Sequence, residues 1–150
     1  MSLTTEQRVD TVINKYNNAC QLIGWILNHE EDRIGKWKVY NEMVKKSIGE
    51  ALDELRVIRD SGAEVHPAID DNLKAKRTEV HQYLSRVAQF VGEVAVEYKS
   101  QGNNYSGGFA MGRYESLSKE YKNILSLQTR VRSESWKYKQ NRTCAQGGWP

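Results

Sequence analysis

The sequence contains few prolines and no long apolar segment. Its two prolines are Pro67 and Pro150, so most of the chain is free to form uninterrupted helices. No apolar run approaches the roughly 20 residues that a membrane span requires. The first residues, 1–6, contain neither a basic region nor an apolar one, so no signal peptide is predicted. We therefore expect a soluble, cytoplasmic protein.

Cysteines and histidines are also scarce. The two cysteines, Cys20 and Cys144, provide neither a disulfide framework nor a metal-binding motif, and we expect two free thiols in a reducing compartment. The histidines, His29, His66 and His81, fall at different heights of the helical bundle predicted below. Because they cannot meet in one monomer, no multi-histidine metal site is expected, and no cofactor is predicted.

Apolar residues recur at steps of three and four along most of the chain, which is the period of an α-helix. A composition with 39% hydrophobic and 27% charged residues is typical of amphipathic helices that each present one stripe to a core. No stretch alternates at period two for long enough to form a strand. Helices are predicted over about residues 4–30, 34–61, 67–101 and 110–139, and the fold class is therefore all-α.

Several residues predict where these helices begin and end. Thr4 and Gln7 have the spacing of a capping box at the start of the first helix. Gly62 follows the apolar stripe of the second helix and is typical of a helix C-terminus. Pro67 suits the first turn of the third helix, and Asp70 complements the positive end of its dipole.

The connections predict how the helices are arranged. Short connections at residues 30–33 and 62–66 favour antiparallel neighbours, hence an up-down-up-down four-helix bundle. The third connection, residues 102–109, is longer and glycine-rich. We divide the chain into a helical bundle domain, residues 1–140, and an extended C-terminal tail, residues 141–150.

The third predicted helix is longer than the first. At about 1.5 Å per residue it would measure roughly 50 Å, against nearer 40 Å for the first helix, so its ends should project. A projecting apolar stripe is often buried by another chain, which favours self-association. Gly24, Gly49 and Gly92 lie inside predicted helices at a cost of about 1 kcal/mol each relative to alanine. We interpret them as points of close approach between helices.

Paired carboxylates on the second helix raise the alternative of a small, all-α, metal-dependent enzyme that processes nucleotides. Glu50 and Glu54 are one turn apart and could bind magnesium if a neighbouring helix supplied further carboxylates. The antiparallel arrangement instead places Lys15 level with Glu50, and Lys74 and Lys76 level with Glu54. We therefore interpret these carboxylates as partners in surface ion pairs.

The acidic corner Glu30, Glu31 and Asp32 is the other candidate metal site, and its position beside a turn favours a solvated surface instead. No Ser/His/Asp or Cys/His arrangement can be assembled, so no catalytic residue is assigned. The glycine-rich segment 102–112 lacks the strand–loop–helix context of a phosphate-binding loop. A weaker alternative is an anion contact at the N-terminus of the fourth helix, beside Arg113.

Positive charge is concentrated in the last third of the chain. Residues 101–150 contain eight Lys/Arg and three Asp/Glu, whereas residues 1–100 contain 14 and 16. Basic groups can neutralise phosphates, and neighbouring aromatic rings can stack on bases or pack into a protein pocket. The candidate phosphate contacts are Arg113, Arg130, Arg132, Lys137 and Lys139. The candidate partner-binding residues near and in the tail are Trp136, Tyr138, Arg142 and Trp149.

These features favour a non-enzymatic assembly or adaptor protein. It would act through protein–protein contacts, either with itself or within a larger complex, and use the basic and aromatic tail as a contact arm. The alternative partner is nucleic acid, bound through the basic C-terminal helix. No motif in the chain identifies a family, and the sequence does not specify the partner.

Overall fold

Four long helices make up most of the described chain. The computed structural model describes residues 3–29, 31–62, 64–104 and 108–134, with the backbone alone described at 101–104, 108–110 and 134. The helices are α1 (Thr5–Asn28), α2 (Arg33–Ser61), α3 (Pro67–Asn104) and α4 (Gly108–Glu134). The prediction of an all-α, four-helix fold is confirmed.

The predicted helix ends are present where the sequence places them. The backbone N–H of Gln7 donates to Thr4 Oγ1 at 3.1 Å, and the backbone N–H of Thr4 donates to Gln7 Oε1 at 2.9 Å, which completes the capping box. Gly62 ends α2 with φ at 71°, a left-handed conformation that glycine adopts without steric cost. Pro67 is the first residue of α3.

Two ion pairs show that α1 and α2 are antiparallel. Lys15 Nζ lies 2.6 Å from a carboxylate oxygen of Glu50, as predicted. Two turns earlier on α1 and one turn later on α2, Arg8 Nη1 lies 2.7 Å from Glu54 Oε1. The partner predicted for Glu54, a lysine on α3, is wrong, because α3 packs against α1 and α4, whereas α2 packs against α1 and more sparsely against α4.

Contacts at two levels fix the directions of α3 and α4. Lys76 Nζ donates to Asn17 Oδ1 at 3.1 Å, which places the lower parts of the parallel helices α1 and α3 together. The second contact between α1 and α3 is Gly24 with Tyr83. Gln128 Nε2 donates to Ser85 Oγ at 2.6 Å and joins α4 to α3. The second contact between α3 and α4 is Gly92 with Tyr121. The order around the bundle is therefore α2, α1, α3, α4, and the α1–α2 face lies opposite the α3–α4 face.

All four helices contribute to one apolar core. Fully burying a large aliphatic or aromatic side chain contributes about 1.5–3 kcal/mol, so the core is the main source of stability. Its largest fully buried members include Tyr16, Ile23, Trp37, Leu52, Leu84 and Ile124. Gln128 is a polar exception with 8% of its surface exposed, and its amide also donates to the backbone oxygen of His81 at 3.1 Å.

The long third helix is confirmed. Its 38 residues span about 57 Å, against about 36 Å for the 24 residues of α1. Gly24 of α1 lies beside the Tyr83 ring, so α1 ends near the level of residue 87 of α3. About 25 Å of α3 therefore continues past the end of α1, paired with α4.

The predicted glycine-rich connection, residues 102–109, is too long. Helix α3 continues to Asn104 and α4 begins at Gly108, while residues 105–107 lie outside the described part of the chain. A glycine inside a helix costs only about 1 kcal/mol, which the preceding turns of a long helix outweigh at Gly102. The described part of α4 ends at Glu134, short of the predicted residue 139.

The three glycines inside helices differ in their surroundings. A Cβ placed at Gly92 would lie 3.3 Å from Tyr121 Cε2, and one at Gly24 would lie 3.5 Å from Tyr83 Cε1. Close approach is therefore confirmed at Gly92, and an ordinary contact is found at Gly24. The interpretation is wrong for Gly49, because no described atom lies within 4 Å of a Cβ placed there.

Candidate interaction surface

The bundle exposes apolar side chains on two opposite faces. Val39 on α2 and Val96 on α3 are 66% and 64% exposed, the two largest values among the described large hydrophobic residues. Met43, one turn after Val39, is 51% exposed. Single exposed apolar residues are normal on a protein surface, whereas contiguous patches mark interaction sites. The neighbours of each exposed residue therefore decide whether it belongs to an interaction site.

Val96 borders an elongated depression, which we call the α3–α4 groove. It has a volume of about 590 Å³, within the range of about 300–1,000 Å³ that is usual for binding pockets. Tyrosine rings are favourable lining groups for a protein contact, since they offer a large apolar area with a polar tip. The main lining residues are Gly92, Glu93, Val96, Tyr114, Ser118 and Tyr121.

Gly92 allows this groove to form. The Tyr121 ring packs against the backbone of α3 at this position, and a larger residue there would displace the ring and fill the space. At the upper end of the groove, the Lys99 ammonium lies 5.4 Å from the centre of the Tyr114 ring, a cation–π contact that holds the ring in place. Among the described lining residues Glu93 is the only one with a formal charge, so the groove is apolar with a negative edge.

The opposite face carries a raised apolar row, which we call the α2 ridge. It consists of Lys36, Val39, Met43 and Lys46, whose spacing of three, four and three places them on one side of the helix. Trp25 of α1 adjoins the ridge and is 39% exposed. The Lys36 ammonium lies 5.4 Å from the Trp25 ring. The ridge is therefore apolar at its centre and positive at both ends.

The described candidates for phosphate contacts do not form one surface. Arg130 lines a small cleft between α2 and α4 that also contains Lys45. Arg132 is two residues later, about 200° around the helix, so the two arginines lie on opposite sides of the buried Val131. Arg113 lies 17 residues before Arg130, about 25 Å away along α4. These three arginines do not form a continuous track for a phosphate backbone.

The remaining candidates near the C-terminus lie outside the described residues. Their roles stay predictions, as does the extended tail of residues 141–150. They are Trp136, Lys137, Tyr138, Lys139, Arg142 and Trp149.

Three of the carboxylates considered for a metal site, Glu50, Glu54 and Asp32, serve the fold, while Glu30 lies outside the described residues. Lys15 donates a hydrogen bond to Glu50 and thereby lowers the pKa of that carboxyl. Glu54 is held by Arg8, and Asp32 caps α2 by accepting a hydrogen bond from a first-turn backbone N–H at 3.2 Å. In the part of the chain that is described, no group of three or more His, Cys, Asp or Glu residues could hold a metal ion.

Cys20 is enclosed by the core. Burial is the largest cause that raises the pKa of its thiol to about 11, and the nearby Glu79 carboxylate acts in the same direction. Because the thiolate is the reactive form of cysteine, this side chain is unreactive near neutral pH in the folded state. Cys20 therefore behaves as a small apolar residue of α1.

The sequence interpretation missed both the groove and the ridge. Val39 and Val96 fall outside the helical stripes, since Val39 lies between Trp37 and Tyr40, and Val96 lies between Val94 and Tyr98. Apolar residues out of phase with a stripe are the signal that could have identified these exposed positions. The groove itself depends on which α4 ring meets Gly92, and a single helix cannot reveal that.

Within the described residues, no helix combines the length and the apolar character needed to cross a bilayer. Comparison of the chain with protein-family models, with curated proteins and with solved structures finds no match in any of the three. The interpretation of the two surfaces therefore depends on their geometry and chemistry.

Proposed function

We propose that this protein is a non-enzymatic helical adaptor that binds a protein partner through the α3–α4 groove. The observation that carries the proposal is the groove itself, an apolar depression bordered by the highly exposed Val96 and by two tyrosine rings. Grooves of this kind accept an apolar row of side chains from a helix, with anchors spaced by three or four residues. Tyrosine is also enriched among the residues that dominate binding energy at interfaces.

The placement of the ionisable groups supports a binding role over a catalytic one. The acidic residues first considered for chemistry form ion pairs that join α1 to α2, at Lys15–Glu50 and Arg8–Glu54. Glu93 stands at the edge of the groove, where it accepts a hydrogen bond from Gln89 at 3.3 Å. A single exposed carboxylate in an apolar groove can orient a partner by charge.

The C-terminal tail is the second contact element of the proposed adaptor. This part of the proposal rests on the sequence, in which aromatic and basic residues alternate from Trp136 to Lys139 and the tail adds Arg142 and Trp149. A truncated chain that ends at residue 140 tests the groove and the tail separately. It should keep the partner that binds the groove and lose the contacts made by residues 141–150.

Site-specific photo-crosslinking tests the groove. A benzophenone amino acid at position 96 reports on proteins that contact the groove, while the same group at position 57 is the matched control. Val57 is also an exposed valine on a helix, but it lies 11 residues beyond Lys46, about 17 Å from the end of the ridge. Both variants should fold as the wild type does, because each replaces a side chain that faces solvent.

We expect one or a few defined crosslinked species from position 96 and none of them from position 57. Mass spectrometry then identifies the crosslinked protein, including a second copy of this chain. A Ser118→Trp change, introduced together with the benzophenone, should fill the groove and remove the crosslink. Equal crosslinking from positions 96 and 57, or no defined species from position 96, would refute the groove as a binding surface.

A further inference from the structure

We infer that the partner of the α3–α4 groove is the α2 ridge of a second copy of this chain. The inference rests on the proposed binding role of the groove and identifies its occupant. Helices α2 and α3 thus carry the two halves of one contact, and each copy presents one groove and one ridge. Three properties of the described surfaces lead to this pairing: their shapes, their charges and their positions.

The shapes of the two surfaces are complementary. Val39 and Met43 protrude from α2 one turn apart, about 6 Å along the helix, and are the central residues of the ridge. The groove extends along α3 from Gln89 to Val96, about 10 Å, and the Tyr121 ring packs on Gly92 within it. Two side chains one helical turn apart therefore fit within its length. Methionine suits such a contact, because its unbranched side chain adapts to irregular apolar surfaces.

The balance of charge on the two surfaces is opposite. The ridge is flanked by Lys36 and Lys46, with the exposed Glu42 beside Met43. The groove has Glu93 on its edge and Lys99 at its upper end. Glu97, also exposed, follows Glu93 one turn later on α3 and adds to the negative edge. Opposite charges around an apolar centre favour ridge-to-groove contact. Contact between two ridges would bring lysines together, and contact between two grooves would bring carboxylates together.

The positions of the two surfaces allow many copies to associate side by side. The Arg33 guanidinium at the start of α2 lies 5.6 Å from the centre of the Phe90 ring of α3. The groove is therefore level with the start of α2, and Val39 and Met43 of the ridge lie about 9–15 Å further along α2, on the opposite face. A second copy that has the same orientation and is shifted along the bundle axis presents its ridge to the first copy's groove.

Contact between two different surfaces has a definite consequence for assembly. A row of copies always has a free groove at one end and a free ridge at the other, so association continues as a row or closes as a ring. A contact between two identical surfaces would instead stop at the dimer. This difference makes the inference testable by mixing variants.

Two variants each disable one surface. Val96→Lys places a positive charge opposite the lysines of the ridge and disables the groove. The double change Val39→Lys with Met43→Lys removes both apolar anchors and disables the ridge. All three positions are at least half exposed, so the fold should tolerate lysine, and circular dichroism with thermal unfolding checks this.

Light scattering measures the mass of each sample. For the wild type we expect a mass that rises above the 17.3 kDa monomer between about 1 μM and 1 mM, the range of weak specific contacts. Each variant alone should remain monomeric at concentrations where the wild type associates. An equimolar mixture of the two variants should form a dimer and nothing larger, because one intact groove and one intact ridge remain.

Other outcomes would overturn the pairing. A wild-type chain that is monomeric at every concentration excludes self-contact through these surfaces. Association that survives the ridge variant shows that the groove binds something other than the ridge, and a mixture that stays monomeric shows that the two surfaces do not meet. If the wild type is monomeric while position 96 still crosslinks to another protein, the self-contact is refuted and the binding role of the groove stands.

Discussion

Replacing Gly49 by alanine should stabilise the protein. Gly49 lies in the middle of α2, and no described atom is within 4 Å of a Cβ placed there. The added methyl group therefore meets no steric resistance, and the change removes the entropic cost of glycine in a helix, about 1 kcal/mol. For a chain of this length, 1 kcal/mol corresponds to an increase in Tm of about 2–4 °C.

Gly92→Ala is the matched control for this prediction. The same gain in helix propensity applies, but the new Cβ would lie 3.3 Å from the Tyr121 ring, which must move by a few tenths of an ångström. We therefore expect a smaller gain than at Gly49, or a loss. Urea and thermal unfolding followed by circular dichroism measure both variants. Equal stabilisation by the two changes, or destabilisation by Gly49→Ala, would contradict the packing argument.

Two further predictions concern pH. Because the pKa of Cys20 rises from 9.0 to about 11 on folding, the stability that this thiol contributes is present below pH 9 and lost as the pH approaches 11. Cys20→Ser should remove this loss of stability at alkaline pH, up to about 3 kcal/mol in the free energy of unfolding measured with urea. Parallel profiles of unfolding free energy against pH for the wild type and the variant would contradict the prediction. Lys15→Met should raise the pKa of Glu50 toward its ordinary 4.5, measured by NMR titration. The wild type should be more stable than this variant above pH 4.5, and the difference should shrink as the pH falls through the lowered pKa of Glu50. An unchanged Glu50 pKa in the variant would refute the hydrogen bond from Lys15 as the cause of the lowered pKa.

The sequence predicts the features of this fold that are local. The capping box at Thr4 and Gln7, the terminating Gly62 and the initiating Pro67 each depend on a few adjacent residues, and all three are confirmed. The helical period also depends on residues close in sequence. The all-α class could therefore be derived without knowledge of which helices touch.

The features that depend on helix–helix neighbours could not be derived in the same way. Glu54 was expected to meet a lysine of α3, yet it meets Arg8, because α3 packs beside α1 rather than beside the helix that precedes it. The connection between α2 and α3 is compatible with either arrangement, and the choice is made by packing in the core. Sequence periodicity within single helices does not contain that information.

The candidate surface was beyond sequence reasoning for a related physical reason. The most unusual composition lies near the C-terminus, where basic and aromatic residues are concentrated. The α3–α4 groove instead depends on a small residue, Gly92, meeting a ring of another helix, Tyr121. The sequence around Val96 is not unusual in composition, and Val96 matters because its side chain is exposed beside the groove.

The buried amide of Gln128 favours one longitudinal alignment of α3 and α4 over the others. Sliding α4 by one turn, about 5.4 Å, would carry this amide away from the Ser85 hydroxyl and the His81 carbonyl. A buried amide left without acceptors costs roughly 1–3 kcal/mol, whereas a leucine at the same position would pack in either alignment. A single polar residue in the core thus fixes the longitudinal alignment of two long helices. Without it, apolar stripes of repeating period would admit several alignments of similar energy.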